Sequence, residues 1–233
     1  MRIDFLTLFP DMIDAAMNTS ILGRGSERGH FSYGTHQIRD YTRNKQKQVD
    51  DYPYGGGMGL IMQADPLFYC LEDVTARFGP GHVVLMSPQG RVFSQGMARK
   101  YVAEREHIIF ICGRYEGVDE RFIEECVDEE LSIGDYVLTG GEVASLVVAD
   151  AVCRLIPGVL ADESSFEDES HWNGLLEGPQ YTRPKTWHDK EVPDILLSGD
   201  HEAIRRWRHK QAMTRTEERR PDLIWGQTTF IDV

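Results

Sequence analysis

Glycine-rich loops that follow apolar segments are the residues in this sequence best suited to hold a ligand. Ser87-Pro88-Gln89-Gly90 and Gly113–Gly117 each follow an apolar run, and Ser132–Gly141 leads into a long apolar segment. Backbone N–H and C=O groups in such loops can read the edge of an adenine without any phosphate-binding signature. The three loops therefore predict one pocket walled largely by backbone, with ordinary connecting loops as the alternative.

Charged residues are unevenly distributed along the chain. Its 25 Lys and Arg stand against 38 Asp and Glu, a net charge of −13 that by itself argues against a nucleic-acid partner. Acids crowd between Glu116 and Asp135, where most belong to a solvated helix face and one or two would favour a cationic ligand such as a sulfonium. Three basic clusters together predict phosphate contacts, although a solvated surface would explain each one alone. The clusters are Arg39–Lys47, Arg183 with Lys185, and Arg205, Arg206, Arg208 and Lys210 around Trp207.

Several common binding signatures are absent from the sequence. The four cysteines form no Cys-x-x-Cys pair and the eight histidines show no metal-ligand spacing, which argues against disulfides, structural zinc or another bound metal. Reduced cysteines indicate a cytoplasmic protein. Neither a Rossmann motif nor a P-loop is present.

Four glycines in the five positions from Gly55 to Gly59 form a further unusual segment. An ordinary strand or helix would not contain them. They predict either a turn with positive φ angles or a close approach of the backbone to a ligand.

Strand-like and helix-like segments alternate through the first 160 residues, which predicts an α/β domain with a mostly parallel sheet. His82–Ser87 and His107–Cys112 are apolar runs of strand length, as a sheet covered on both faces requires. Ligands bind such sheets beyond the carboxyl ends of the strands, where the glycine loops lie. The other predicted elements are strands Arg2–Phe9 and Phe31–Ile38, a helix starting at Pro10, a helix Leu67–Arg77 opened by Asp65-Pro66, a helix capped by Ser94 and ending at Glu104, and a buried helix from Gly141 or Glu142 to Ile156.

Composition changes at Leu160 and divides the chain into predicted parts. Residues 1–160 form the ligand-binding domain, and 161–171 form an acidic linker without apolar periodicity. Residues 172–233 form a small, mostly helical domain, in which Asp200–Arg220 is a basic helix.

A series of segments from residue 8 to residue 211 closely resembles the bacterial tRNA (guanine-37-N1)-methyltransferases of the SPOUT superfamily of knotted methyltransferases. Two of them, CGRYEGVDER and SIGDYVLTGGE, are highly specific in this order and spacing. Met58 departs from the pattern, because the family usually has Pro there. The other matching segments are LFPDM, VDDYPYGGGMG, LMSPQGR, RLIPGVL, GLLEGPQYTRP, EVPDILLSG and EAIRRWRHKQ.

The resemblance implies a deep C-terminal trefoil knot in the first domain, which general rules of chain topology would not predict. It also implies S-adenosylmethionine bound in the knot, an obligate homodimer with the tRNA site built across the interface, and magnesium dependence, for which the sequence shows no ligand set. By the same resemblance, the cofactor pocket should be lined by Pro88, Gly113, Tyr115, Glu116, Ile133, Gly134, Asp135, Tyr136, Val137, Leu138, Gly140 and Gly141.

Methylation of guanine N1 requires a general base, because this nitrogen carries a proton and is a poor nucleophile at neutral pH. It also requires a cation or donor for the charge that develops on O6. The family places its catalytic Asp before a Ser in the acidic linker, where this sequence has Glu169 before Ser170 and Asp168 one position earlier. Either carboxylate can be the base, and a count from Arg154 favours Glu169. Arg154 is expected to support the guanine from the partner subunit.

Two alternatives remain for the function. The altered base position is compatible with a catalytically silent RNA-binding dimer of the same fold. A knotted methyltransferase that acts on another RNA position is the second alternative.

Overall fold

The structure, a computed structural model, describes residues 1–161, 166 and 169–225. The chain divides into two compact units, residues 1–163 and 164–233, and each is described by itself. In the described part of the chain, no helix is both long and apolar enough to cross a membrane.

The first unit is built on a five-stranded sheet in the order β2-β1-β6-β5-β7, in which every pairing is parallel. This confirms the predicted α/β class. Strand β6 is buried along its whole length, and Phe5 on β1 stacks on Phe110 of β6 with ring centroids 5.4 Å apart. The strands are β1 (Arg2–Thr7), β2 (Ser32–Gln37), β5 (His82–Val92), β6 (His107–Ile111) and β7 (Glu129–Ser132), beside a small antiparallel pair, β3 (Asp50–Asp51) and β4 (Ile61–Met62).

Helices cover this sheet, and their ends follow local sequence signals. Pro10 occupies the first turn of α1, and the Ser94 side chain accepts a hydrogen bond from the Met97 amide at the start of α4. Helix α3 begins at Ala64, so the prediction that Asp65 caps it is wrong; Asp65 lies inside the first turn, where a carboxylate favours the helix dipole. The helices are α1 (Pro10–Met17), α2 (Ser20–Glu27), α3 (Ala64–Phe78), α4 (Gln95–Glu104), α5 (Glu120–Cys126) and α6 (Gly141–Cys153), with a 3-10 turn at Ile38–Tyr41.

Strand β5 continues through the segment predicted to be a loop after it. Its register against β7 shifts between Met86 and Arg91, so the residues from Ser87 to Gly90 form an irregular part of the strand. Pro88 cannot donate to a regular ladder, which suits it to such a bulge.

Strands β1, β2 and β6 are joined by a buried carboxylate on β1. Asp4 is fully buried, and its oxygens lie 2.6 Å from His36 Nε2, 2.9 Å from His107 Nε2 and 2.7 Å from an Arg2 guanidinium nitrogen. Burial alone would raise the pKa of Asp4, but the hydrogen bonds from His107, His36 and Arg2 outweigh it and hold this pKa well below its ordinary value. The cluster therefore ties three neighbouring strands together.

The second unit contains one long helix, α7 (His201–Arg219), close to the predicted bounds. The Asp200 side chain caps it by accepting from the amides of Glu202 and Ala203. A short hairpin, β8 (Thr186–Trp187) and β9 (Lys190–Glu191), was not anticipated from the sequence. A 3-10 turn at Asp194–Leu197 and helix α8 (Asp222–Trp225) complete the described part.

Candidate active site

A cavity of about 360 Å³ lies at the carboxyl ends of β5, β6 and β7. The three glycine-bearing loops meet there, as the parallel sheet requires. Asp135 is exposed and does not line the cavity. Every other residue expected to contact the cofactor does line it: Pro88, Gly113, Tyr115, Glu116, Ile133, Gly134, Tyr136, Val137, Leu138, Gly140 and Gly141.

Backbone contacts fix the loops of this cavity to one another. The Gly141 amide donates to the Gly113 carbonyl at 2.9 Å, and a Cβ at Gly141 would lie 2.8 Å from the Cα of Cys112. The buried Ser132 hydroxyl donates to the Gly134 carbonyl and accepts from the Gly134 amide, at 3.0 and 3.1 Å. Glycine is required at 141 because any side chain would push the two loops apart.

Tyr115 has a φ of +61°, a conformation that is uncommon for a residue with a side chain. Its hydroxyl accepts from Arg39, with the two atoms 3.4 Å apart, which brings the Arg39–Lys47 cluster to the edge of the cavity. Strained backbone of this kind concentrates at ligand sites, where the surrounding structure holds it in place.

A buried carboxylate holds a residue that lines the cavity in place. Glu142, in the first turn of α6, is fully buried; it accepts from the Thr7 hydroxyl at 2.8 Å and from Arg114 Nε at 2.9 Å. Arg114 also donates to the Thr139 carbonyl and lies over the Phe9 ring, 4.4 Å from its centroid. Sequence reasoning missed this network, although a single acid at the start of an apolar helix was a signal for it.

The walls of the cavity combine acids with exposed apolar surface. Glu116, Glu120 and Glu130 line it, whereas Arg114 is already paired with Glu142. Val137 is 82% exposed and Tyr136 is 56% exposed, so apolar surface is available to a planar ligand. The cavity therefore suits a molecule that has an aromatic part and a positive charge.

The glycine segment at 55–59 lies beside the same cavity. All four of its glycines have positive φ angles, which confirms the predicted turn. Gly59 packs against the Glu116 side chain, and the Glu116 amide donates to the Leu60 carbonyl at 2.9 Å. The turn thus borders a residue that lines the cavity, while Met58 is 92% exposed.

The catalytic candidates lie in two parts of the chain, Arg154 in one and the neighbouring Asp168 and Glu169 in the other. Arg154 is half-buried at the C-terminal end of α6, where its amide donates to the Asp150 carbonyl. Glu169 belongs to the second unit; its amide donates to the Phe166 carbonyl, and its carbonyl accepts from the Trp172 amide. Asp168 lies outside the described residues.

The predicted nucleic-acid contacts fall into two groups. Arg183, Arg206 and Lys210 are exposed, and Arg206 forms an ion pair with Glu202 at 2.7 Å. Arg205 and Arg208 line a second cavity, of about 300 Å³, in the second unit. Glu169 lines this cavity too, a juxtaposition that the sequence did not reveal.

The fold and the first cavity define an α/β protein with a candidate ligand pocket at the carboxyl ends of a parallel sheet. Residues 1–226 match the family described as tRNA (Guanine-1)-methyltransferase TrmD, and the chain belongs to this family of enzymes. This membership confirms the resemblance found in the sequence motifs.

Individual relatives agree with the family match over nearly their whole length. A tRNA (guanine-N(1)-)-methyltransferase of Moorella thermoacetica is 54% identical over 230 residues, which cover 96% of this chain and 90% of that protein. The enzyme of the same name from Staphylococcus haemolyticus is 51% identical, with 96% of this chain and 91% of that protein covered. A third, from Halalkalibacterium halodurans, is 51% identical, with 97% and 92% covered.

Proposed function

We propose that the enzyme transfers a methyl group from S-adenosylmethionine to N1 of guanine-37 in tRNA. Methylation of N1 of a tRNA guanine is the activity of the family to which the chain belongs. The main support for S-adenosylmethionine as the methyl donor is the cavity at the carboxyl ends of β5, β6 and β7, which is lined by glycine-bearing loops and by acids.

The residues of this cavity fit S-adenosylmethionine, which supplies an electrophilic methyl group on a positively charged sulfur. The apolar surface of Tyr136, Val137 and Leu138 suits an adenine ring, and the backbone groups of the glycine loops suit its polar edge. Glu116, Glu120 and Glu130 favour a ligand that carries positive charge. Asp135 remains a proposed contact through the same loop, although it does not line the cavity.

Glu169 removes the proton from guanine N1, with Asp168 as the alternative base. A carboxylate accepts this proton only when it is held against N1, so its placement on an ordered turn is as important as its basicity. Arg154 donates to O6 of the guanine and stabilises the negative charge that develops there. The transfer would leave the methyl group on N1, the proton on the carboxylate and the donor as a neutral thioether, since the bond between sulfur and methyl is the one that breaks.

The basic clusters supply the RNA contacts. Arg183, Arg205, Arg206, Arg208 and Lys210 are exposed on the second unit and are available to phosphates. We assign to this unit, at residues 172–233, the role of a tRNA-binding domain that follows the 161–171 linker.

A homodimer with an active site built from both protomers is part of the proposal. Its support is a set of exposed apolar side chains on three neighbouring helices, α1, α2 and α6, since such surface is uncommon on a monomer. The residues are Met12 on α1, Ile21 on α2, and Val143 and Val147 on α6.

The trefoil knot is proposed from family membership. The close approach of Gly141 to Cys112 and Gly113, which leaves no room for a side chain, is compatible with it. A reducing, cytoplasmic location is proposed from the four free cysteines.

Magnesium has less support than the methyl donor. Among the described residues, no group of three or more His, Cys, Asp or Glu side chains could hold a metal ion. No step of the proposed reaction is therefore assigned to a metal.

Transfer of labelled methyl from S-adenosylmethionine to two tRNA transcripts, with guanine or adenine at position 37, tests the proposal. We expect label in the guanine-37 transcript, recovered as 1-methylguanosine after digestion. Binding of tRNA without any transfer would indicate a catalytically silent RNA-binding dimer. Equal labelling of both transcripts would indicate a methyltransferase that acts at another RNA position.

A further inference from the structure

The second cavity places the proposed general base among side chains that bind anions. It measures about 300 Å³ and lies wholly within the second unit. Its charged and polar lining consists of Glu169, Asn173, Glu177, Gln180, Arg205, Arg208 and His209, and Leu175, Leu176, Gly178 and Pro179 belong to another wall. Two acids, two arginines and a histidine thus line one space.

Hydrogen bonds hold the wall that carries Glu169 against α7. The Ser170 hydroxyl accepts from the Glu177 amide at 3.0 Å, and the Glu177 carbonyl accepts from Arg215 at 3.1 Å. The buried Thr216 hydroxyl accepts from the Leu176 amide at 2.9 Å and donates to a carbonyl one turn earlier in α7. The segment that follows Glu169 is therefore an ordered part of the unit.

Close packing at a glycine completes this attachment. A Cβ at Gly178 would lie 3.2 Å from the Arg208 carbonyl oxygen. This spacing is tighter than an ordinary van der Waals contact, and it sets the wall directly against the helical turn that carries Arg208.

Helical periodicity separates the basic residues of α7 into two sets. Arg205, Arg208, His209 and Ala212 follow i, i+3, i+4 and i+7 spacing, so they share the face that lines the cavity. Arg206 points elsewhere and is paired with Glu202. The cavity-facing cations are thus a defined subset of a basic helix.

A single-stranded purine nucleotide carries the two chemical groups that this lining can bind. Arginine forks match the oxygens of a phosphodiester, and a carboxylate accepts from the N1–H and amino edge of guanine. The volume suits one extruded nucleotide, and RNA-binding proteins read single-stranded bases in this way.

We propose that Arg205, Arg208 and His209 hold a phosphodiester that flanks the target guanosine, in the same cavity in which Glu169 faces its base. This inference rests on the proposed function and deepens it, since it assigns a phosphate subsite next to the general base. Arg205 and Arg208 position the substrate, whereas Arg206 contributes only to the general attraction for RNA.

A substrate–enzyme mutant cycle tests this assignment. The substrates are guanine-37 tRNAs assembled by ligation, each with one neutral methylphosphonate in place of one of the two phosphates that flank the target. Single-turnover methylation is measured with wild type, with the Arg205→Ala/Arg208→Ala double variant and with Arg219→Ala. Arg219 is an exposed arginine of the same helix that does not line the cavity. Arg219→Ala therefore removes a positive charge from α7 without changing the cavity, and it serves as the control.

The measured quantity is the ratio of the methylation rate constant to the half-saturating tRNA concentration. With wild type and with Arg219→Ala, one of the two neutral linkages should lower this ratio by about tenfold or more. This is the loss expected when a charge-assisted hydrogen bond is removed. The same linkage should cost the double variant less than about threefold, because its phosphate contact is already lost. Arg208→Lys, which keeps the charge, should retain much of the sensitivity. Circular dichroism and cofactor affinity should match wild type in every variant.

Two results would overturn the assignment: an equal loss in all three proteins, or no loss with either linkage in wild type. Failure of wild type to methylate the unmodified tRNA is a separate outcome, because it contradicts the proposed function itself.

Discussion

The two cavities of this enzyme are built from different parts of the polypeptide. In the first unit, glycine-bearing loops expose backbone groups, and one buried pair, Glu142 with Arg114, supports them. In the second unit, the charged side chains of one helix and one turn supply most of the polar lining. Backbone fixes a shape at little cost in side-chain entropy, whereas exposed side chains supply charge that salt can screen.

In the proposed function, this contrast corresponds to two kinds of ligand. The proposed site of the small methyl donor is a pocket in which Gly141 leaves no room for a side chain. The proposed site of the flexible polyanion is a set of cations on an exposed helix. Substitutions in the first cavity should therefore change cofactor affinity, and substitutions in the second should change catalysis and RNA binding.

The largest effect is expected for Glu169→Ala. Removal of the general base should lower the single-turnover methylation rate by about 10²- to 10⁴-fold, while S-adenosylmethionine affinity measured by calorimetry changes less than about threefold. Glu217→Ala, an exposed acid of α7, is the control and should leave both quantities unchanged. A near-normal rate for Glu169→Ala, with a large loss for Asp168→Ala, would move the base to the neighbouring residue.

The next effect is expected at Asp4, which lies in neither cavity. Asp4→Asn should lower the free energy of unfolding in urea by about 3 kcal/mol, because it leaves buried donors without their counter-charge. The exposed Asp11→Asn is the matched control. An altered cofactor affinity in a still-folded Asp4→Asn protein would show that this cluster is coupled to the first cavity.

The same residue sets a dependence of stability on pH. Because the pKa of Asp4 is lower in the folded state than in the unfolded chain, its contribution is fully present above the unfolded pKa, about 3.9. The contribution is lost as pH falls from there through the folded pKa. The unfolding free energy of wild type should thus fall more steeply below about pH 4 than that of Asp4→Asn.

A smaller effect is expected for Glu142→Gln. Loss of this charge weakens the contact to Arg114 and loosens the Thr139–Gly141 loop, so cofactor affinity should fall by about tenfold. Glu104→Gln on α4 is the control, since Glu104 is an exposed acid paired with Lys100. Unchanged affinity with Glu142→Gln would mean that the glycine loops hold their shape without the buried pair.

The smallest effect is expected for Arg206→Ala. Its charge is exposed and shared with Glu202, so tRNA affinity should fall less than about threefold, and the slope of log affinity against log salt should decrease by at most about 0.7. Filter binding at several salt concentrations measures both values. A loss as large as that of Arg205→Ala would remove the distinction between the two faces of α7.

Sequence reasoning predicted the first cavity better than the second because its signals are local. Glycines that follow an apolar run indicate a loop whose backbone conformation or close packing favours glycine, and this signal is contained within a few residues. Parallel strands then bring such loops together at the carboxyl edge of the sheet. The pairing of Glu142 with Thr7 spans 135 residues and its pairing with Arg114 spans 28, so neither could be deduced from spacing.

The parts that sequence reasoning missed depend on tertiary packing. Strand β5 continues past Pro88 only because β7 pairs with it again beyond the bulge. The placement of Glu169 in one cavity with Arg205 and Arg208 depends on hydrogen bonds between an irregular segment and the side chains of Arg215 and Thr216. Periodicity does not encode such contacts.

Primer extension across position 37 tests the central claim most directly, because a methyl group on N1 blocks base pairing and stops the polymerase. Wild-type protein with S-adenosylmethionine should produce a stop next to guanine-37, and Glu169→Ala should produce almost none in the same time. No stop with wild-type protein that binds both ligands would contradict the account.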